Sequence, residues 1–189
     1  MNCAASPDSP ILSLNRTIAL VGLMGVGKST VGRRLATRLN LPFADGDHEI
    51  ESAAGMTVSE IFSTRGEGEF RAGETRVMKR LLEGPPIVLA TGGGAMMNPE
   101  TRQSLKQHAV TVWMRADLHI IAERVGRRDT RPLLRGKDTI KVLTELAEKR
   151  YPIYAEADLT VDVGGGSHGV ALEAMLSALR KYAQENTPR

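Results

Sequence analysis

Gly22-Leu23-Met24-Gly25-Val26-Gly27-Lys28-Ser29-Thr30 decides the fold of this chain. The run has the spacing G-x-x-x-x-G-K-[ST] of a phosphate-binding loop. An apolar pentapeptide, Thr17-Ile18-Ala19-Leu20-Val21, precedes it and reads as a short buried strand. Val31, Leu35 and Leu39 follow at intervals of four, as one face of a helix requires. Strand, glycine-rich loop and helix in that order turn backbone N–H groups toward an anion. The helix start adds partial positive charge, Lys28 a full one, and Ser29 a hydroxyl suited to Mg²⁺. The segment therefore implies a nucleoside triphosphate site.

Working outward, apolar strand candidates alternate with helical stretches. The strands are expected at Thr17 to Val21, Phe43 to Asp45, Ile87 to Ala90, Val110 to Met114 and Leu159 to Val163. Helices are expected at Ser29 to Asn40, Thr57 to Glu83 with a break around Gly66, Pro99 to Gln107, Leu118 to Val125, Thr139 to Tyr154 and Val170 to Gln184. Val170, Met175, Leu179 and Tyr182 share one side of the last of these. The alternation predicts an α/β fold: three layers, α/β/α, around a five-stranded parallel sheet with right-handed crossovers. Ligands in such sheets gather at the carboxyl ends of the strands. Three loops stand out there. Asp45-Gly46-Asp47 follows the second strand, and Thr91-Gly92-Gly93-Gly94 follows the third. The basic segment from Gly126 to Gly136 has the composition of a lid over phosphates.

The 189 residues allow one domain, expected over residues 16–184, with a substrate-binding segment near 46–75 and a lid near 124–137. Residues 1–15, with Pro7, Asp8 and Pro10, are expected to form a disordered extension, and 185–189 a loose tail. No apolar run approaches a membrane span, and the opening residues do not resemble a secretory signal. The single cysteine, Cys3, rules out an internal disulfide framework and fits a reducing compartment. The net charge of +3 raises the question of nucleic acid. The arginines are scattered, however, and one Trp, three Tyr and three Phe offer little stacking surface. A basic pocket for small anions accounts for the balance. The four histidines show no metal-ligand spacing, Trp113 reads as core, and Arg127, Arg128 and Arg135 read as solvated lid charge.

Six blocks together resemble the shikimate kinase family of small P-loop kinases, which are similar in fold to nucleoside monophosphate kinases. They are Gly22 to Thr30, Phe43-Ala44-Asp45-Gly46-Asp47, Gly66-Glu67-Gly68-Glu69-Phe70-Arg71, Thr91-Gly92-Gly93-Gly94, Arg131-Pro132-Leu133-Leu134 and Arg150-Tyr151-Pro152-Ile153-Tyr154. The resemblance spans about residues 17 to 163. It implies a transferase that moves the γ-phosphoryl group of ATP to the 3-hydroxyl of shikimate in aromatic amino-acid biosynthesis. It also implies one Mg²⁺ and a cytoplasmic, monomeric protein without nucleic-acid or membrane partners. By the same resemblance Gly25, Val26, Gly27, Lys28, Ser29 and Thr30 hold ATP, Arg131 reaches the phosphates from the lid, and Arg124 packs against adenine. Ser29 and Asp45 stand on the metal side, Asp45 replacing the carboxylate that the third strand lacks. Asp47, Arg71, Gly93 and Arg150 take shikimate, with Lys28, Asp47 and Arg131 catalytic. Two alternatives stay open: another small-molecule P-loop kinase, such as a gluconate-type kinase, and a non-catalytic nucleotide-binding module.

Overall fold

A computed structural model of the chain describes residues 8–126, 138–164 and 166–186. In chain order the elements are α1 (Ser9–Ser13), β1 (Thr17–Val21), α2 (Lys28–Leu39), β2 (Phe43–Asp45), α3 (Gly46–Ala54), α4 (Val58–Leu82), β3 (Val88–Ala90), a 3₁₀ turn (Ala95–Met97), α5 (Pro99–His108), β4 (Ala109–Arg115), α6 (Leu118–Gly126), α7 (Thr139–Tyr154), β5 (Leu159–Asp162) and α8 (His168–Asn186). All strand pairs are parallel, in the order β2-β3-β1-β4-β5. This is the expected five-stranded three-layer architecture.

The order places the site. From β1 the chain crosses to β2 on one side, whereas from β3 it crosses back over β1 to β4. Right-handed crossovers in opposite directions put α2 and α5 on opposite faces, so a crevice opens beyond the carboxyl ends of β1 and β3. Those two strands are in register from Ile18 opposite Val88 to Leu20 opposite Ala90, which brings the loops after Val21 and Ala90 to the same level. Thr91 locks them together, its N–H and hydroxyl both donating to the Leu20 carbonyl at 3.1 and 3.0 Å.

Every residue of β1 is buried, and so are the first six of β4, as expected for strands covered on both faces. Leu20, Leu35, Val88, Val110, Met175 and Leu179 belong to one continuous core. A second, smaller core of Ile50, Ile61, Phe70 and Val77 joins α3 to α4. The expected break in α4 is a kink at Gly66, whose φ of 81° favours glycine.

Three local expectations are corrected. Asp45-Gly46-Asp47 is no simple loop. Asp45 ends β2 and caps α3, accepting from the Asp47 N–H at 3.2 Å, so Asp47 sits in that helix's first turn. Val170 is 62% exposed, and α8 instead buries Ala171, Met175, Leu176, Leu179 and Ala183. Residues 8–14 are docked, not loose. Ile11 joins the core, and the buried Asp8 carboxylate pairs with Arg38 at 2.9 Å and Arg180 at 2.7 Å. Two cations over one carboxylate outweigh the apolar poverty of this stretch, a long-range pairing invisible to local composition.

Candidate active site

The crevice holds a cavity of about 400 Å³. Gly25, Gly27, Lys28, Ser29 and Thr30 line it from the phosphate loop, Asp45 and Asp47 from the β2 exit, and Thr91 and Gly93 from the β3 exit. Arg124 of α6 and His168 of α8 also line it. One cavity thus gathers expected nucleotide and metal residues with two of the four expected acceptor residues, Asp47 and Gly93, while Arg71 and Arg150 are not among its lining.

The loop's shape comes from its glycines. Gly25 has φ 79°, and a Cβ there would lie 2.3 Å from Val125 Cγ2, so both conformation and space require glycine. Gly27, at φ 106°, has open space beside it, and from there α2 begins with its N–H groups facing the cavity. Lys28 is 9% exposed and its ammonium donates to the carbonyls of Gly22 at 2.8 Å and Leu23 at 3.0 Å. The charge is therefore fixed against the loop. Arg124 donates to the Val26 carbonyl at 3.3 Å, fastening α6 to the same loop. Val26 itself turns inward and is 1% exposed, so only its backbone can serve a ligand.

Ser29 donates its hydroxyl to Asp45 Oδ2 at 2.5 Å. A hydroxyl and a carboxylate oxygen side by side, next to an anion-binding loop, are hard oxygen donors of the kind Mg²⁺ takes when phosphates and water complete its shell. Among the described residues no cluster of three acidic, His or Cys side chains offers a full protein cage. The donor set fits an ion that arrives with its nucleotide.

The triple glycine is where the structure adds most to the sequence. Each glycine clears space for a different polar side chain. A Cβ on Gly92 would lie 2.7 Å from Glu74 Oε1 and 2.8 Å from Asp47 Oδ1. One on Gly93 would lie 3.2 Å from Arg150 Nη1, and one on Gly94 only 2.6 Å from Arg71 Nη1. The loop therefore admits Asp47, Arg150 and Arg71 to one small volume. Arg150 is held there by the Gly93 carbonyl at 2.9 Å, and that carbonyl also accepts from the Tyr154 hydroxyl. Burial pushes the Tyr154 hydroxyl up to about 12, so it stays a donor at neutral pH.

Glu74 is the residue that sequence reasoning missed. Its side chain is 3% exposed and accepts from Arg71 Nη1 at 2.7 Å, while Glu67 accepts from Nη2 at 3.2 Å. Burial is the largest influence on Glu74 and holds its carboxyl above the usual range, partly offset by Arg71, with the negative charge of Asp47 pushing the same way as burial. Burial works to lower Arg71, but Glu74 and Glu67 outweigh it and hold the guanidinium above its ordinary value. Arg71 is thus a fixed cation, its Nε and Nη2 both donating to Glu67 and its Nη1 to Glu74. The signal was available: Glu74 lies three positions after Arg71 on one helix, where side chains meet. Thr91, Tyr154 and His168 were assigned no role from the sequence; the structure places Thr91 and His168 on the cavity and the Tyr154 hydroxyl on the Gly93 carbonyl. Trp113 is core as expected, 6% exposed, edge-on to Tyr151 at 5.1 Å. Arg127, Arg128, Arg131 and Arg135, and most of the expected lid, lie outside the described residues.

Comparison with known proteins agrees with this geometry. A model of the shikimate kinase family matches residues 24–180. The chain is 61% identical over 166 residues to a shikimate kinase of Caulobacter vibrioides, covering 88% of this chain and 83% of that protein. It is 52% identical over 180 residues to one of Bradyrhizobium diazoefficiens, covering 94% and 87%. The solved shikimate kinase of Acinetobacter baumannii in complex with shikimate has a TM-score of 0.85 and 36% identity, covering 95% of this chain and all of that one. The matched stretch contains the loop from Met24 onward, the Asp45/Asp47 pair, the glycine triplet, Arg71 and Arg150, and the chain belongs to the shikimate kinase family.

Proposed function

We propose that Asp47, Arg71, Gly93 and Arg150 hold shikimate against the γ-phosphate of an ATP bound by Gly25 to Thr30, and that the chain transfers that phosphoryl group to the 3-hydroxyl of shikimate. The observation that carries this reading is the triple glycine, around which Arg71, Arg150 and Asp47 pack, with Asp47 and Gly93 also lining the phosphate-loop cavity. Arg71 and Arg150 suit the planar carboxylate of shikimate, which two guanidinium forks can grip. Asp47 suits a hydroxyl. A nucleotide acceptor carries no carboxylate for this pairing, a gluconate-type acceptor shares the carboxylate and is separated from shikimate by direct comparison of the two as acceptors, and a non-catalytic nucleotide module would need no acceptor site at all.

The chemistry required of the protein is mostly positioning and charge. The acceptor oxygen forms a bond to the γ-phosphorus as the bond to the β,γ-bridging oxygen breaks, and ADP leaves with that electron pair. Asp47 orients the hydroxyl and takes its proton late, because the transition state is loose and demands little early base catalysis. Lys28 balances charge moving onto the leaving oxygen, and the α2 N–H groups hold the phosphates. Ser29 and Asp45 would hold the Mg²⁺, which supplies further neutralisation of the phosphate oxygens. Arg131 is assigned to the transferring group from the lid, and Arg124 to the nucleobase.

The test is Asp47→Asn in a coupled ADP-release assay with shikimate. Turnover is expected to fall by about 10²–10⁴-fold while ATP still binds. Near-normal turnover would remove Asp47 from the reaction.

A further inference from the structure

A second cavity, of about 330 Å³, lies between α3 and α4 and shares no lining residue with the nucleotide crevice. Its floor is the small core of Ile50, Ile61, Phe70 and Val77. It exists because Ala53 and Ala54 of α3 and Gly73 of α4 present little or no side chain. Gly73 is the informative one. It sits inside a helix, where glycine is unfavourable, yet a Cβ there would meet nothing within 4 Å. Packing does not demand glycine at this place; its effect is to leave a gap in the ridge that runs from Glu69 to Arg76.

The rim is basic. Arg65, Arg76 and Arg80 surround the opening with Glu69 as the one carboxylate among the lining residues. Arg80 is engaged by Glu49 at 2.9 Å, but Arg65 and Arg76 make no ion pair with any described residue. An apolar floor of modest volume beneath two unengaged guanidinium forks selects a ligand with an apolar body and one anionic end. We propose that this cavity binds a small amphiphilic carboxylate, its body on Ile50, Phe70 and Val77 and its carboxylate between Arg65 and Arg76.

Phe70 forms part of the floor, and the Arg71 guanidinium stands over its ring at 5.1 Å. Occupancy is therefore linked to the acceptor clamp, and the linkage is reciprocal. This second statement rests on the reading of Arg71 as a shikimate ligand; the binding itself does not.

The experiment is calorimetric titration of the full chain with 3-phenylpropanoate, and with 3-phenylpropanamide as its neutral counterpart. Saturable binding of the acid is expected with a Kd of about 1 mM or tighter, and the amide at least tenfold weaker, corresponding to about 1.4 kcal/mol. Gly73→Leu, which fills the gap with a better helix former, should abolish binding. Arg65→Gln with Arg76→Gln, both exposed, should weaken it about tenfold and guards against misfolding of the leucine variant. No saturation by about 10 mM, equal binding of acid and amide, or unchanged binding in both variants overturns the proposal. Because Arg71 and Arg150 could also attract the probe, the titration is repeated with saturating shikimate. Loss of binding there together with retention in Gly73→Leu places the probe in the acceptor site and overturns the proposal equally. The linkage is read separately, as a shift of about twofold or more in the shikimate KM with the probe present. An unmoved KM with intact binding overturns the linkage alone.

Discussion

Gly94→Ala would isolate the proposed acceptor clamp from the rest of the fold. Gly94 has φ −102°, an ordinary conformation for alanine, so the substitution brings no backbone strain. The added Cβ, however, would lie 2.6, 2.8 and 2.9 Å from Nη1, Nη2 and Cζ of Arg71. Contacts that short cannot persist, and the flexible end of Arg71 is what must yield. Yielding breaks its 2.7 Å bond to Glu74 and moves the guanidinium away from the glycine triplet. A hydrogen bond between charged groups is worth about 1.5–3 kcal/mol, and one such contact to the acceptor carboxylate is forfeited. At about 1.4 kcal/mol per factor of ten, the shikimate KM should rise roughly 10- to 100-fold. The KM for ATP should hold, because Gly94 and Arg71 are absent from the nucleotide cavity. The assay is ADP release at varied shikimate and fixed saturating ATP, with a thermal melt alongside. Gly68→Ala is the control. Its Cβ would meet nothing within 4 Å, so it should leave KM unchanged and stabilise α4 by about 0.5–1 kcal/mol. An unchanged shikimate KM in a folded Gly94→Ala protein would refute the assignment of Arg71 as a clamp.

Other predictions address the metal side, the loop and the docked N-terminal helix. Asp45→Asn removes the carboxylate that meets Ser29 at 2.5 Å and should raise the Mg²⁺ needed for half-maximal turnover by about 10–100-fold; an unaltered Mg²⁺ titration would count against the pair. Gly25→Ala forces an L residue to φ 79° with its Cβ 2.3 Å from Val125, so ATP affinity measured by nucleotide fluorescence should fall at least about tenfold. Asp8→Asn should lower stability by about 1–2 kcal/mol at neutral pH, seen as a Tm lower by several degrees. Burial works against the Asp8 carboxylate, but Arg180 and Arg38 outweigh it and hold its pKa below the ordinary value. A depressed carboxylate stabilises above its unfolded pKa and loses that contribution as pH falls through the folded one, so the Tm gap should shrink below about pH 4. A gap independent of pH would mean the charge is not what docks α1.

Much of the architecture is legible in the chain because its signals are local. A phosphate loop needs glycines at fixed places, buried parallel strands are continuously apolar, and Gly66 announces the α4 kink. The site divides along the same line. Lys28, Ser29, Asp45 and Asp47 lie in short segments whose residue types and spacing already speak of phosphate and carboxylate chemistry. What escaped depends on contacts between distant segments. Asp8 looked like loop punctuation until the fold laid Arg38 and Arg180 across it. Three adjacent glycines look like freedom for a ligand. Only the packing of α4 and α7 shows that they make room for Arg71, Glu74, Arg150 and Asp47. Val170 misled for a milder reason: at a helix's first turn, apolar spacing fixes a side but not whether anything covers it.

The most direct test of the whole account is an acceptor panel. ADP release is measured with the purified chain, ATP and Mg²⁺, in parallel with shikimate, gluconate and nucleoside monophosphates. The account predicts turnover with shikimate alone, lost to at most about one part in a hundred in Arg71→Ala and Arg150→Ala at the same acceptor concentration. Turnover with gluconate or a nucleotide exceeding that with shikimate, or shikimate turnover indifferent to both arginines, would contradict it.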